Sequence, residues 1–161
     1  MTVDGTHCPV EEPKHPTLSQ DTSFFSHKFN RAAVSYELAI STYEQKLIWI
    51  NGPFPAGTHD ITIYRAALMR MIPEGKKIIG DAGYRGEPNT VSTYNPIDPQ
   101  EVKNFKSRAR CRHETFNPRI KIFNVLNHCF RHSLGKHKSA FEAVCVIVQY
   151  QPENGSPLFD V

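Results

Sequence analysis

The chain has 161 residues, a formal net charge of +3 and 39% hydrophobic residues. This length and composition suit one globular domain with a buried core, and they exclude an intrinsically disordered chain. No run of about eighteen apolar residues occurs and residues 1–5 lack a signal-peptide pattern, so we expect neither a membrane span nor secretion.

Basic residues are concentrated in one part of the chain. Residues 101–140 contain ten of the 19 Lys and Arg residues but only two of the 16 acids. A basic segment on an otherwise acidic chain indicates a polyanionic partner, nucleic acid above all. The alternative is the solvated surface of a helix.

The cysteines do not indicate a disulfide framework. Without a secretory signal, widely spaced cysteines that form no Cys-x-x-Cys pair are best interpreted as free thiols. The four are Cys8, Cys111, Cys129 and Cys145.

The first candidate functional residue is Asp4, within Val3-Asp4-Gly5-Thr6-His7. An apolar residue followed by Asp and Gly is typical of a strand end that carries a functional carboxylate, and equally of an ordinary turn. The proline-rich and polar residues 9–21 predict a loop.

Two strands are predicted next. Residues 33–41 alternate, with the side chains of Val34, Tyr36, Leu38 and Ile40 on one face. The apolar run over residues 47–50 is typical of a strand covered on both faces, and the short connection predicts an antiparallel hairpin. Residues 51–57 then predict an irregular loop.

A helix is predicted over residues 60–72, because its apolar residues recur at helical spacing. They are Ile61, Tyr64, Leu68, Met71 and Ile72. Asp60 stands where an N-cap belongs, so we favour a capping role for it over a metal-binding role.

The short β-branched run over residues 77–80 predicts a buried strand that carries Asp81 to a glycine-rich turn. Ligands gather where strands end in open α/β sheets, so Asp81 is a second candidate functional residue. Residues 87–100 predict a loop.

A basic helix is predicted over residues 101–132. A continuous helix would place Arg110, Glu114 and Lys121 on one face, an arrangement suited to holding a metal ion beside phosphates. The alternatives are a surface ion-pair ladder, or a helix interrupted at Pro118 that separates Glu114 from Lys121. A last helix over residues 139–149 has an apolar stripe that includes Cys145, which favours a core position for this thiol.

Asp4, Asp81 and Glu114 are three acids on two strand ends and a helix. Closely spaced divalent ions bridged by carboxylates are the usual apparatus for displacement at phosphorus, and Mg²⁺ prefers such oxygen ligands. The element order predicts an α/β fold with an RNase H-like mixed sheet, antiparallel hairpin strands plus a parallel strand, flanked by helices.

Several motifs together resemble the DDE transposases, with the Harbinger/PIF-type endonuclease domain as the best match. They are Val3-Asp4-Gly5-Thr6-His7, Gly57-Thr58-His59-Asp60, Gly80-Asp81-Ala82-Gly83-Tyr84, the spaced set Arg110, Glu114 and Lys121, Phe130-Arg131-His132, and Pro157-Leu158-Phe159. The resemblance covers nearly the whole chain.

The resemblance implies a DDE endonuclease domain over residues 1–161 in which Asp4, Asp81 and Glu114 are catalytic and hold Mg²⁺ or Mn²⁺. It further implies a DNA substrate, a nuclear location, homo-oligomers and a separate DNA-binding protein as partners. The DNA-binding candidates are Lys103, Lys106, Arg108, Arg110, Arg112 and Lys121.

Two departures from the family pattern are Pro118 and the position of Asp4 close to Met1, which predicts a truncated copy without the N-terminal DNA-binding region. An alternative function is therefore an inactive, transposase-derived domain that binds DNA or protein. A second alternative is structural zinc, held by His128, Cys129 and His132 with Cys111 and His113 upstream.

Overall fold

The computed structural model describes residues 1–12 and 22–158, in which the chain forms six strands and four α-helices. The strands are β1 (Thr2–Pro9), β2 (Phe25–Ser26), β3 (Arg31–Ile40), β4 (Leu47–Pro55), β5 (Ile78–Ile79) and β6 (Val91–Ser92). The helices are α1 (Asp60–Ala66), α2 (Gln100–Lys121), α3 (Asn124–Asn127) and α4 (Leu134–Glu153). The predicted loop over residues 9–21 falls partly outside these ranges, and Phe159 falls wholly outside them.

The strands form one mixed sheet in the order β4-β3-β1-β5-β6, with the short β2 beside the start of β3. Strand β3 is antiparallel to both β1 and β4, whereas β5 is parallel to β1 and to β6. This architecture confirms the predicted α/β class and the mixed RNase H-like sheet. The predicted hairpin is also confirmed.

Strand positions within the sheet explain where two predictions were wrong. Among the described strands β4 pairs only with β3, so it lies at the edge of this sheet and Ile48 is 51% exposed instead of covered on both faces. The strand also continues through Pro53 to Pro55, where a loop was predicted. An edge strand tolerates proline because one row of its backbone N–H groups has no ladder partner.

Two apolar clusters cover the two faces of the sheet. One packs β3 side chains such as Tyr36 and Leu38 against α2, α3 and α4, and includes Cys145, as predicted. The other packs Val3 and Ala39 against Tyr64 of α1 and the segments around β5 and β6. Within the described residues, no helix combines the length and apolarity needed to cross a membrane.

The helices differ from prediction at their ends. The predicted helix over residues 60–72 is α1 followed by a 3₁₀ turn, Leu68–Met71, and Met71 is 66% exposed. Helix α2 is continuous through Pro118, which lies in its last turn, so Arg110, Glu114 and Lys121 share one helix. The predicted loop over residues 87–100 contains β6.

Candidate active site

Asp4 lies in β1, where the paired strand β3 holds the backbone on one side. Asn117 of α2 donates from Nδ2 to Asp4 Oδ2 at 3.0 Å, so the carboxylate is turned toward that helix. Burial raises the pKa of Asp4 to about 6, and the nearby charges of Asp81 and Asp60 act in the same direction.

Asp81 follows β5 and stands beside Asp4 in register. The parallel strands β1 and β5 pair at Thr2 and Ile79, and each acid comes two residues after its member of that pair. Asp81 caps the 3₁₀ turn Ala82–Tyr84, because its Oδ1 accepts a hydrogen bond from the Gly83 N–H at 2.8 Å. The two acids thus lie side by side, Asp4 on β1 and Asp81 just after β5, which are neighbouring inner strands of the sheet.

Asp60 is not the helix cap that its position in the sequence predicted. His59 is the N-cap residue of α1, no side chain caps the helix there, and Asp60 is the first helical residue. Its carboxylate instead extends over two glycines: a Cβ built on Gly5 would lie 2.8 Å from Asp60 Oδ1, and one on Gly83 would lie 2.6 Å from Oδ2.

The same point above Gly83 lies 3.1 Å from Asp81 Oδ1, so Asp60 and Asp81 face one small space. Burial, and then the charge of Asp81, raises the pKa of Asp60. We call Asp4, Asp60 and Asp81 the carboxylate cluster. The sequence signal for Asp60 was a glycine one residue after Asp4 and another two residues after Asp81, since glycine marks close approach of another group.

Glu114 is exposed on α2, three residues before Asn117 and therefore on the same side of the helix. Its charge acts on the neighbouring Cys111, whereas the charges that act on Asp4 are those of Asp81 and Asp60. The structure thus brings Asp4 and Asp81 together with Asp60, and Glu114 stays a predicted ligand on the adjoining helix.

A buried acid, Glu37, lies behind the carboxylate cluster. It is 1% exposed and pairs with Gly5 across β1 and β3, and Trp49 donates from Nε1 to its Oε2 at 2.9 Å. Burial raises the pKa of Glu37 to about 7, and the charge of Asp60 contributes. The site therefore combines several acids in which the negative charge of one disfavours the ionisation of another.

The chemistry of the carboxylate cluster fits a hard divalent cation. Carboxylate oxygens are the donors that Mg²⁺ prefers, and a cation would relieve the repulsion by Asp81 that adds to burial in raising the pKa of Asp4. In the part of the chain that the structure describes, no three His, Cys, Asp or Glu side chains form a ready-made metal site. Neither the carboxylate cluster nor the zinc alternative at residues 111–132 is therefore an assembled ligand set among the described residues.

Comparison with known proteins identifies the family. The sequence profile of the DDE superfamily endonucleases matches residues 3–149. The chain belongs to this family. A protein of Microchaete diplosiphon named "Probable transposase for insertion sequence element IS702" is 26% identical over 142 residues, which cover 81% of this chain and 49% of that protein.

The chain thus spans about half the length of this relative. No solved structure matches the chain significantly. DDE superfamily endonucleases generally use divalent metal ions, and transposases act on DNA.

Three of the predicted DNA-binding cations are engaged in contacts within the protein. Lys106 forms an ion pair with Asp98 at 2.6 Å. Arg112 is 4% exposed and donates to the carbonyl oxygens of Ser41 and Glu44. Lys121 donates to the carbonyl oxygen of His7 and to Cys8 Sγ, which fastens α2 to β1.

The other three cations lie on the solvent side of α2. Arg108 and Arg110 are exposed and Lys103 is half-buried. Lys103 and Arg110 line a cleft of about 390 Å³ that also contains Gly80, the residue before Asp81. We call it the α2 cleft, and Gly80 brings its lining to within one residue of Asp81 in the chain.

Proposed function

We propose that this chain is a metal-dependent endonuclease and strand-transfer domain of a Harbinger-like transposase. The observation that carries the proposal is the register of β1 and β5, which sets Asp4 beside Asp81 while Asp60 faces Asp81 over Gly83. One acid from β1, one just after the end of β5 and one from the start of α1 form the carboxylate cluster, which is suited to phosphoryl chemistry.

All four acids are metal ligands in this proposal. Asp4, Asp60 and Asp81 hold Mg²⁺ or Mn²⁺, and Glu114 is a further ligand from α2. Asn117 orients Asp4 through its hydrogen bond. A bound divalent ion would supply Lewis-acid stabilisation of the charge that develops on the phosphate oxygens.

DNA contact in this proposal comes from the exposed cations of α2. Lys103, Arg108 and Arg110 bind phosphates, whereas Arg112 and Lys121 hold the fold together. Phosphate contacts position DNA without reading its sequence, so sequence recognition falls to a separate DNA-binding region or protein. A nuclear location and self-association belong to the same proposal.

The alternative is a transposase-derived domain that binds DNA or a protein without cutting. Such a role would be favoured if residues 1–7 did not pair into the sheet, because Asp4 would then have no fixed position. Strand β1 pairs with β3 from Thr2 to Pro9. This pairing supports the catalytic proposal over the alternative.

The test is nicking of supercoiled plasmid DNA with Mg²⁺ or Mn²⁺. We expect metal-dependent conversion to the open circle by the wild-type chain and its loss in Asp81→Ala. Glu142→Ala, which removes an exposed acid of α4, is the matched control and should nick normally. Equal nicking by Asp81→Ala, or none by the wild type, would overturn the proposal.

A further inference from the structure

A second cleft adjoins the carboxylate cluster, in addition to the α2 cleft. It has a volume of about 770 Å³, and Asp60 and Gly83 form the wall it shares with the cluster. Its other lining residues include His7, Phe25, His27, Lys28 and His59. We call it the histidine cleft.

We propose that the histidine cleft binds an unpaired nucleotide of the DNA strand, next to the phosphate that is cut. This inference rests on the proposed function, because it assigns the cleft to the substrate of the same site. It names a feature of that substrate, a single-stranded segment, which the carboxylate cluster alone does not specify.

The charge and donors of the cleft suit a phosphate group. Lys28 is exposed at its rim and lies close enough to His7 to lower the pKa of that histidine, after burial, which is the largest cause. The His7 ring is fixed by a contact of 2.9 Å between Nδ1 and Ser26 Oγ. Imidazole and ammonium N–H groups are donors that phosphate oxygens accept.

The cleft also presents an aromatic surface for a base. Phe25 is 38% exposed on the short strand β2, and its ring meets that of His27 edge to face, with centroids 5.2 Å apart. Every base has a π-face, so exposed aromatic rings beside cations bind single strands with little sequence preference. The volume suits a nucleotide-sized ligand.

The two clefts are placed so that one strand could pass through both. Gly80 lines the α2 cleft and Gly83 lines the histidine cleft, with Asp81 between them in the chain. A strand running from Lys103 and Arg110 to Phe25 would therefore cross the carboxylate cluster. Bases in a duplex are stacked and paired, so only an unpaired nucleotide can put its base against Phe25.

The experiment measures binding of two fluorescent DNAs by anisotropy in EDTA, so that it does not depend on cleavage. One is a blunt duplex and the other is the same duplex with a single-stranded overhang. We expect Phe25→Ala and Phe25→Leu to weaken overhang binding by about 5- to 150-fold relative to blunt-duplex binding. Leucine keeps the apolar volume but lacks the aromatic face, and thermal unfolding verifies that both variants fold.

Lys28 gives an independent readout. Lys28→Gln should reduce the salt dependence of overhang binding by about 0.7 in the slope of log affinity against log salt. The matched controls are Tyr43→Ala, an aromatic residue 95% exposed in the β3–β4 connection, and Lys136→Gln on α4. Both variants should keep the wild-type ratio of affinities for the overhang DNA and the blunt duplex.

The outcomes separate this proposal from the nuclease proposal. Loss of the overhang preference in the Phe25 variants supports nucleotide binding in the histidine cleft, even if the wild type does not nick plasmid. Folded Phe25 variants that bind both DNAs as the wild type does would overturn the cleft proposal even where the wild type nicks. A wild type with no preference for the overhang DNA would overturn it as well.

Discussion

Gly5 and Gly83 lie under the Asp60 carboxylate, and a side chain at either position would meet it at 2.8 or 2.6 Å. We expect Gly5→Ala to turn this carboxylate away from Asp81 and to lower the nicking rate by about 100-fold, a typical cost of a 1 Å misplacement. Stability should change by no more than about 1 kcal/mol, because a short side chain can rotate. Plasmid nicking and urea unfolding measure the two effects.

The matched control for Gly5→Ala is Gly135→Ala. Position 135 lies in α4, where an added Cβ meets nothing within 4 Å. This change should raise stability by about 0.5–1 kcal/mol and leave nicking unaltered. Normal nicking by Gly5→Ala would show that the Asp60 carboxylate is not needed at its observed position.

Glu37 makes the free energy of unfolding of the protein depend on pH. Its pKa is about 7 in the folded protein against 4.5 as the ordinary value, so the folded state binds the extra proton between these values. Stability is therefore lost as the pH rises through this window. We expect the free energy of unfolding of Glu37→Gln, measured relative to that of the wild type, to be about 3 kcal/mol higher at pH 8 than at pH 4.5. Urea unfolding at the two pH values measures this change.

The comparison at two pH values isolates Glu37 from the other groups that titrate in this range. Asp4, whose pKa of about 6 lies in the same range, is present in both proteins and contributes equally to each. An unchanged difference between the variant and the wild type at the two pH values would mean that Glu37 ionises normally.

At the scale of elements, helix α2 has two kinds of cation. Lys121 joins α2 to β1 through the His7 carbonyl oxygen and Cys8, whereas Arg110 lines the α2 cleft. We expect Lys121→Met to lower the free energy of unfolding by about 1–3 kcal/mol, because it leaves a partly buried acceptor without its donor. Thermal or urea unfolding measures this loss.

Arg110→Gln should weaken DNA binding without lowering the stability of the protein. Its stability should stay within about 0.5 kcal/mol of the wild type, while its DNA affinity falls and becomes less dependent on salt. If Lys121→Met were fully stable and Arg110→Gln bound DNA normally, the division of the two roles on α2 would be wrong.

Periodicity predicted the elements well where local pattern decides them. The alternation at Val34 and Leu38 identified β3, and helical spacing identified α4. Burial on both faces of β3 and the exposure of Ile48 depend on which strand lies at the edge, and local sequence does not carry that information. Pro118 left a break open in the sequence, because a proline inside a helix removes one i→i−4 hydrogen bond; α2 accommodates it in its last turn.

At the scale of the whole molecule, the sequence predicted in part which acids the sheet brings together. The motif of Asp81 pointed correctly to a strand end, whereas the strand end predicted for Asp4 was wrong because β1 continues beyond it. The parallel pairing of β1 with β5 places the two acids side by side. Asp60 was assigned to capping because local sequence places it at a helix start. Its contact with Gly5 and Gly83 depends on packing α1 against the sheet, which is a tertiary effect.

The most direct test of a shared metal site is Mn²⁺ binding, measured by calorimetry or electron paramagnetic resonance. The asparagine variants of Asp4, Asp60 and Asp81 keep side-chain size and remove one charge each. We expect each to weaken Mn²⁺ affinity by at least about tenfold, about 1.4 kcal/mol, while Glu142→Gln binds as the wild type does. Wild-type Mn²⁺ affinity in Asp60→Asn or Asp81→Asn would contradict a metal site built from these three carboxylates.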